Sequence, residues 1–385
     1  MKFASEESFD RVLNIIAREL GVEIEELQDA DVPFSQLGID PILGRVIVRQ
    51  ISQDLGLQLP EDVFQKIRNV GQFMQFISNS HTLATMTTGM ATTEAVAERV
   101  KTNPQLKAEL HAPLPVLIRG NPTKTSRNIF LLPDGSGSAM AYARLAAPGP
   151  NCCLYSMHSP FLEDPGGYTC TVEDFSALWA RGIQKLQPHG PYTLGGWSAG
   201  GYYAFEAMKY LQSEGEIVDK IILIDSPCRT NFETLPLDVV RYLSAHKLMG
   251  GQDTYQTPKW LIDHFEVTLA AVDRYKPTKM SASSAKAAPA VHIIWATDAI
   301  LSRGEAAQTG LDCDVKVTRF LLEERIDFGP NGWETLFPEW SKISIATMPG
   351  NHFNIVYKPY VSNWSLLIFR TNPGTIGEGA KSDLN

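Results

Sequence analysis

The chain has 385 residues, with 34 Lys and Arg against 43 Asp and Glu, and therefore a formal net charge of −9 at pH 7. This acidic balance argues against nucleic acid as a partner, because surfaces that bind nucleic acids are basic. A hydrophobic fraction of 44% and a mean hydropathy of −0.12 fit two or three globular domains and exclude a disordered or fibrous chain.

The sequence also limits where the protein functions. It has no apolar run near the roughly 20 residues that a membrane helix needs, and its first residues are acidic where a secretory signal is basic. We therefore expect a cytoplasmic protein with no membrane partner. The cysteines show no metal-ligand spacing with a nearby histidine, so we interpret them as buried thiols and expect no metal: Cys152, Cys153, Cys170, Cys228 and Cys313.

An acidic helical domain is predicted for residues 1–80. This segment holds 7 basic and 13 acidic residues, so it carries −6 of the total charge of −9. Apolar residues recur at helical spacing over 9–20 and again over 42–51, and shorter helices are predicted at 59–64 and 70–77. The pattern predicts a small all-α four-helix bundle.

A linker and a larger domain follow this bundle. We predict the linker over 81–114, because charge and periodicity are lost after residue 78 and Pro104 interrupts a helix proposed for 93–111. From Pro115 onward, β-rich runs alternate with helical ones, which predicts a mostly parallel sheet covered by helices over 115–370. Helical segments at about 229–286 interrupt the alternation and are predicted to form a lid, with a flexible tail at 371–385.

A G-x-S-x-G motif, Gly196-Trp197-Ser198-Ala199-Gly200, lies between a predicted strand and a predicted helix. In this context the serine occupies a sharp turn, where a side chain two residues before or after it would collide with the crossing strand or helix. The motif alone is a weak signal. Its position between a strand and a helix indicates that Ser198 is a nucleophile.

Candidate partners follow Ser198 along the chain. Asp225 and Asp298 each end a predicted strand, and His352 comes just after another. The order Ser, Asp, His is typical of α/β-hydrolases. In that chemistry His352 takes the proton of Ser198 as the serine attacks an acyl carbonyl, and an aspartate orients the imidazole and stabilises its charged form. The residues alone leave both aspartates open.

The same chemistry needs two N–H donors that bind the oxyanion of the tetrahedral intermediate. The residue after the nucleophile, Ala199, supplies one. We predict the other in the glycine-rich loop after an early strand, where Gly135 or Ser136 presents its amide.

Five segments of the larger domain stand in a distinctive order: LPDGSGSA (132–139), GGWSAGG (195–201), LIDSPC (223–228), DFGPNGWETL (327–336) and GNHF (350–353). Together they resemble the thioesterase domain that ends fungal non-reducing iterative polyketide synthases, over about 115–370. The resemblance implies an α/β-hydrolase fold and release of an aromatic polyketide from a carrier domain, by hydrolysis or by Claisen-type cyclisation. It also implies an acid 27 residues after the nucleophile, which is the spacing from Ser198 to Asp225 and favours Asp225 over Asp298.

The first domain reads Leu-Gly-Ile-Asp-Pro-Ile-Leu over 37–43, where acyl carrier domains have G-x-D-S-L. Residues 1–80 therefore resemble the acyl carrier domain that precedes this thioesterase in the large synthases. Pro41 replaces the serine that receives phosphopantetheine, and because proline has no hydroxyl, we expect a pseudo-carrier that binds no cofactor. Proline suits the first position of a helix, with Asp40 as its cap. Ser35 and Ser52 lie off the motif and are not expected to substitute.

The chain begins at the carrier and shows no synthase module upstream. It resembles the freestanding pseudo-carrier thioesterases that act in trans beside paired highly reducing and non-reducing synthases, as in olivetolic-acid-type pathways. This resemblance implies hydrolysis of a 2,4-dihydroxy-6-alkylbenzoyl thioester on the carrier domain of a partner non-reducing synthase. Claisen-type release needs the same residues and stays open, whereas the complete Ser, Asp and His set argues against a non-catalytic adaptor. We interpret the pseudo-carrier as a docking domain rather than a remnant of a fusion.

Overall fold

A computed structural model describes most of residues 6–80 and nearly all of 112–360. The described residues are 6–20, 24–27, 29–31, 33–34, 37, 39, 41–57, 59–60, 62–80, 112–145, 149, 151–162, 164–249, 259–281, 288–357 and 360. The linker at 81–111, its predicted helix at 93–111 and the tail at 371–385 lie outside the described residues. So do Ser35, Asp40 and two parts of the predicted lid, 250–258 and 282–287.

The amino-terminal domain contains four α-helices around one apolar core, as the helical periodicity predicts. They are α1 (Glu6–Leu20), α2 (Pro41–Leu55), α3 (Val63–Lys66) and α4 (Val70–Ser80). Three phenylalanines in mutual ring contact lie within this core, Phe34, Phe64 and Phe73. The second helix begins at Pro41, where the missing N–H of proline has no helical partner to lose.

The larger domain is built on one seven-stranded sheet in the order β1-β3-β2-β4-β5-β6-β7. Strand β1 is antiparallel to β3, and all the other neighbouring pairs are parallel. Each β-rich run of the sequence forms one strand: β1 (Val116–Arg119), β2 (Arg127–Leu132), β3 (Cys152–Ser156), β4 (Tyr192–Trp197), β5 (Val218–Ile224), β6 (Ala290–Ala296) and β7 (Ile343–Met348).

Apolar side chains cover both faces of this sheet. Phe130 and Leu132 of β2 belong to one buried cluster, whereas Ile129 and Leu131 belong to another, because alternate residues of a strand face opposite sides. Burial on both faces explains why the central strands read as continuous apolar runs. The helices of this domain are α5 (Val172–Leu186), α6 (Ala199–Ser213), α7 (Leu237–Ala245), α8 (Lys259–Arg274), α9 (Arg303–Gln308) and α10 (Lys316–Leu322).

Two helices, α7 and α8, lie in the chain between β5 and β6, where the sequence predicts the lid. Near the start of α8, Trp260 packs against the apolar core of the amino-terminal domain. Helix α8 therefore contacts the carrier-like bundle as well as its own domain. Among the described helices, none is both long enough and apolar enough to cross a membrane.

Candidate active site

Ser198 lies on the sharp turn between β4 and α6. Its backbone has a φ of 55° and a ψ of −123°, a positive φ that residues with a side chain rarely adopt. The neighbouring glycines make the crossing possible. A Cβ at Gly196 would overlap the backbone of Gly200, and a Cβ at Gly200 would lie 2.5 Å from the carbonyl oxygen of Leu132. The turn places Ser198 directly after the central strand of the sheet.

Three side chains that are distant in sequence form one hydrogen-bonded chain. His352 Nε2 lies 3.1 Å from Ser198 Oγ, and His352 Nδ1 lies 2.7 Å from Asp225 Oδ2. Asp225 is completely buried and His352 is 4% exposed. The Trp197 indole N–H donates to the His352 carbonyl oxygen at 2.9 Å and so holds the loop that carries the imidazole. Because the acid occupies Nδ1, Nε2 is left to accept the serine proton.

The Asp225 carboxylate receives hydrogen bonds on both oxygens. The Ala296 N–H donates to Oδ1 at 2.9 Å, His352 contacts Oδ2, and the Arg325 guanidinium donates to both oxygens, at 2.9 Å to Oδ2. Burial by itself raises the pKa of Asp225, but the charge of Arg325 and the hydrogen bond with His352 outweigh burial and hold that pKa below its ordinary range. Asp225 is therefore ionised at neutral pH.

Asp298 supports the histidine loop from another position. Its Oδ2 accepts a hydrogen bond from the Gly350 N–H at 2.9 Å, and its own N–H donates to the Gly350 carbonyl oxygen at 2.9 Å. Within the described part of the chain, no hydrogen bond joins Asp298 to His352. Of the two aspartates that the sequence leaves open, the structure places Asp225 against the imidazole.

The chain matches two known protein families. A family described as "Thioesterase domain" matches residues 127–359. The chain belongs to the thioesterase family. A second family, described as "Phosphopantetheine attachment site", matches residues 10–77 of the helical domain. The two matches agree with an α/β-hydrolase thioesterase that follows a carrier-like bundle, and thioester release is the activity of this class.

Relatives of this thioesterase include two fungal synthases. It is 32% identical to the non-reducing polyketide synthase terA of Aspergillus terreus, over 95% of this chain and 18% of that protein. It is 31% identical to the conidial pigment polyketide synthase alb1 of Aspergillus fumigatus, over 89% of this chain and 16% of that protein. The thioesterase chain thus spans less than a fifth of the length of either synthase.

A solved structure shares the fold. Holo-AB3403, a four-domain nonribosomal peptide synthetase bound to AMP and glycine, superposes with a TM-score of 0.54 and 18% identity, over 96% of this chain and 26% of that chain. At this identity the likeness concerns the fold alone.

The predicted oxyanion donors differ in their surroundings. Gly135 and Ala199 line one small cavity together with Ser198 and His352. The Ser136 amide instead donates to Asp134 Oδ1 at 3.3 Å, and the Ser136 hydroxyl donates to the same oxygen at 2.5 Å. The Ala199 amide opens helix α6, where it has no helical acceptor. Of the residues that the sequence offers, Ala199 and Gly135 therefore fit the role of donors better than Ser136.

Helix α8 holds the loop that contains Gly135. His264 Nδ1 and Thr268 Oγ1 both donate to the Gly135 carbonyl oxygen, at 2.9 Å and 3.2 Å. Burial lowers the pKa of His264 to about 4, so this imidazole is neutral at pH 7. Phe265 lies so close that a Cβ at Gly135 would be 2.5 Å from its ring. The sequence gives no sign of these hydrogen bonds, because no local motif links positions more than 120 residues apart.

The cavity beside Ser198 has a volume of about 50 Å³. Ligand pockets measure roughly 300 Å³ or more, so this cavity is smaller than an aromatic acyl group needs. Besides the catalytic groups, its polar lining residues are Tyr202, Glu233, Thr234 and Thr268, and its apolar ones are Pro227, Leu235, Phe265, Leu269, Val272, Val317 and Leu321. Several of these side chains belong to α8, which is the helix that closes the cavity.

The carrier-like domain does not fit the prosthetic group that its family implies. Helix α2 begins at Pro41, which has no hydroxyl and cannot form the phosphodiester to phosphopantetheine. Ser52 lies on the same helix, and its hydroxyl donates to the Leu57 carbonyl oxygen at 2.7 Å. This domain therefore offers no attachment point at the motif position, and we assign it no covalent step.

Proposed function

We propose that this thioesterase hydrolyses an aromatic polyketide thioester that is delivered by the carrier domain of a separate synthase. The observation that carries the proposal is the hydrogen-bonded chain of Ser198, His352 and Asp225, because nucleophile, base and orienting acid are the groups that acyl transfer needs. An adaptor protein has no use for this arrangement.

In the first step, Ser198 Oγ attacks the thioester carbonyl carbon while His352 Nε2 accepts the hydroxyl proton. The carbon–sulfur bond breaks, and His352 passes the proton to the departing sulfur. A water molecule then attacks the Ser198 ester, gives a proton to His352 and releases the carboxylic acid, and His352 returns the proton to Ser198. The Asp225 carboxylate stabilises the imidazolium, and the Ala199 and Gly135 amides bind the oxyanion.

The proposed substrate is a 2,4-dihydroxy-6-alkylbenzoyl thioester, and the product is the free resorcylic acid of the olivetolic acid type. Two relatives are named as a non-reducing and a pigment polyketide synthase, which supports an aromatic polyketide. Pro41 supports delivery from another protein, because this chain cannot load an acyl group on its own carrier motif. We place the reaction in the cytoplasm, in trans to a non-reducing synthase that works with a highly reducing one.

We further propose that the pseudo-carrier docks this enzyme onto the partner synthase. Residues 1–80 carry a net charge of −6, and an acidic carrier-like surface suits a synthase surface that normally receives a carrier. Because Pro41 prevents covalent loading, binding is the function that remains for this domain.

The test is release of product from a loaded partner synthase, with the product identified by mass. We expect the free acid, with one carboxyl oxygen taken from ¹⁸O-labelled water. Claisen-type cyclisation of the same polyketide chain uses no water and gives an isomer of equal mass, so the label distinguishes the two. Ser198→Ala should abolish release, and Ser213→Ala, an exposed serine at the far end of the same helix, is the matched control. Release at the wild-type rate by Ser198→Ala would exclude the acyl-enzyme, and a product without the labelled oxygen would replace hydrolysis by cyclisation.

A further inference from the structure

A buried arginine lies behind the acid of the proposed catalytic triad. The Arg325 side chain is 5% exposed, and its guanidinium donates to both carboxylate oxygens of Asp225. It also donates to the carbonyl oxygens of Ala296 and Phe320, at 3.0 Å and 2.9 Å. The guanidinium carbon lies 3.7 Å from the centre of the Phe320 ring. These contacts fix both the position and the orientation of the Arg325 guanidinium.

The bidentate contact restricts the carboxylate in a way that a single hydrogen bond does not. Two parallel N–H donors define both the position and the plane of the acceptor. With the Ala296 N–H on Oδ1, three donors besides the imidazole hold Asp225, and its Oδ2 stays 2.7 Å from His352 Nδ1. The backbone of Asp225 has a φ of 44°, a positive value that residues with a side chain rarely adopt.

The guanidinium also changes the charge that the imidazole faces. A lone buried carboxylate strongly favours a protonated histidine beside it. A carboxylate that is already paired with a cation favours it less, because the pair carries no net charge. Other ionisable side chains are near the site: Glu233 and Tyr202 line the same cavity as His352, and Asp298 binds the Gly350 N–H two residues before it. None of these three has a hydrogen bond to the imidazole in the described part of the chain.

We propose that Arg325 is a positioning residue that fixes the Asp225 carboxylate against His352 Nδ1 and neutralises the charge of that carboxylate. The proposal rests on the proposed acyl-enzyme mechanism. It adds a fourth side chain to the three that the sequence identifies, one that touches neither substrate nor Ser198.

The first test is the pH dependence of kcat/KM for a small soluble thioester. Arg325→Gln should move the acidic limb to higher pH, because the buried carboxylate beside the imidazole then carries an uncompensated charge. The rate should fall most on that limb and recover only in part at high pH, because glutamine also lacks the second donor to Asp225. A purely structural arginine would lower the rate by the same factor at every pH, and that result would overturn the proposal.

The second test is chemical rescue. A groove of about 770 Å³ borders Arg325, so a small cation can reach the vacated space in Arg325→Ala. Methylguanidinium, at concentrations that leave the thermal unfolding of wild type unchanged, should restore both the rate and the wild-type acidic limb. Arg319→Gln is the matched control, because Arg319 lines the same groove but is exposed and binds only the Cys313 carbonyl oxygen among the bonds described. It should show wild-type behaviour.

Two further variants keep the outcome decisive. Arg325→Lys retains the charge without the second donor, so it should keep the wild-type limb while losing part of kcat; a limb shifted as in Arg325→Gln would overturn the charge argument. In an Asp225→Asn background, Arg325→Gln should add almost nothing, since its target is gone, and full additivity would also overturn the proposal. Labelling of Ser198 by a fluorophosphonate distinguishes failure of the acyl-enzyme mechanism from failure of the proposed substrate. If wild type is labelled and cleaves the soluble thioester but releases no polyketide, only the proposed substrate fails.

Discussion

Replacing Asp225 by asparagine puts an NH₂ group in place of one carboxylate oxygen and so disrupts two of the four hydrogen bonds that the carboxylate makes. Each carboxylate oxygen accepts from two donors, Oδ1 from Ala296 and Arg325, and Oδ2 from His352 and Arg325. An asparagine has one acceptor oxygen and one NH₂ group. If the NH₂ group takes the Oδ1 position, it meets the Ala296 N–H. If it takes the Oδ2 position, His352 Nδ1 must become an acceptor, which moves the proton to Nε2.

The first arrangement is disfavoured, because the NH₂ group would face the N–H donors of Ala296 and Arg325. The second removes the base, because a protonated Nε2 can only donate to Ser198. Loss of the correct tautomer lowers kcat by about 10⁴ in triads of this kind, and we expect the same loss in Asp225→Asn. The variant also leaves Arg325 buried without its counter-ion, which costs about 3 to 5 kcal/mol of unfolding free energy. For Asp298→Asn the carboxamide oxygen can still accept from the Gly350 N–H, so we expect a loss of at most about 1 kcal/mol.

The assay compares both variants in two measurements. Single-turnover cleavage of a small soluble thioester gives the chemical step, and urea unfolding gives the free energy of unfolding. The two asparagine variants should differ by about a thousandfold or more in rate, with Asp225→Asn the slower. If Asp298→Asn is the crippled variant and Asp225→Asn is nearly normal, the assignment of the acid is wrong.

Three more predictions concern other parts of the molecule. Deleting residues 1–80 removes the packing partner of Trp260 in α8 but leaves the triad in place, so release from a loaded synthase should fall by a larger factor than cleavage of a soluble thioester. The additional defect should shrink when the enzyme is in excess, because docking raises its local concentration; equal factors at limiting enzyme would contradict docking. Gly135→Ala should cost about 1 to 3 kcal/mol of stability and lower the rate, because its Cβ would lie 2.5 Å from the Phe265 ring, and the same substitution should cost less of both in a Phe265→Ala background. A single variant with wild-type melting and rate would contradict that contact. His264 has its pKa lowered to about 4 in the folded state, against 6.5 unfolded, so the unfolded chain binds more protons below pH 6.5 and acid weakens folding. The stability advantage of wild type over His264→Gln in urea unfolding should therefore fall by about 3 kcal/mol from pH 7 to pH 4, and a difference independent of pH would refute the buried neutral imidazole.

The parts of this structure that sequence predicts are those with a local signature. Apolar, β-rich runs that alternate with helical ones identify all seven strands of the sheet. The glycines around Ser198 identify the turn between strand and helix, because the crossing of their backbones leaves no room for a Cβ. Strand ends also identify the candidate partners of the serine, since parallel strands finish at one edge of the sheet.

Other features depend on contacts that no local pattern records. Asp225 and Asp298 both end a strand, so strand position does not distinguish them; the family resemblance favours Asp225 by its spacing, and the structure shows Asp225 in contact with His352. Arg325 lies 100 residues after Asp225 in a charged segment that resembles any exposed loop. The hydrogen bond from His264 to the Gly135 carbonyl oxygen likewise joins two segments that are far apart in the sequence. Such pairings are decided by tertiary packing, and they determine how the predicted residues are held.

The hydrogen bonds from α8 to the Gly135 carbonyl oxygen have a consequence for which thioesters the enzyme can cleave. The helix that closes the 50 Å³ cavity also supplies both donors that fix the Gly135 carbonyl. If an acyl group displaced this helix, Gly135 would lose both donors until the helix returned. An acyl group too bulky to allow that return would occupy the site without an assembled oxyanion pocket. The enzyme would then select thioesters by whether the helix can close over the bound acyl group. An acyl group that prevents closure would bind, but its chemical step would be slow.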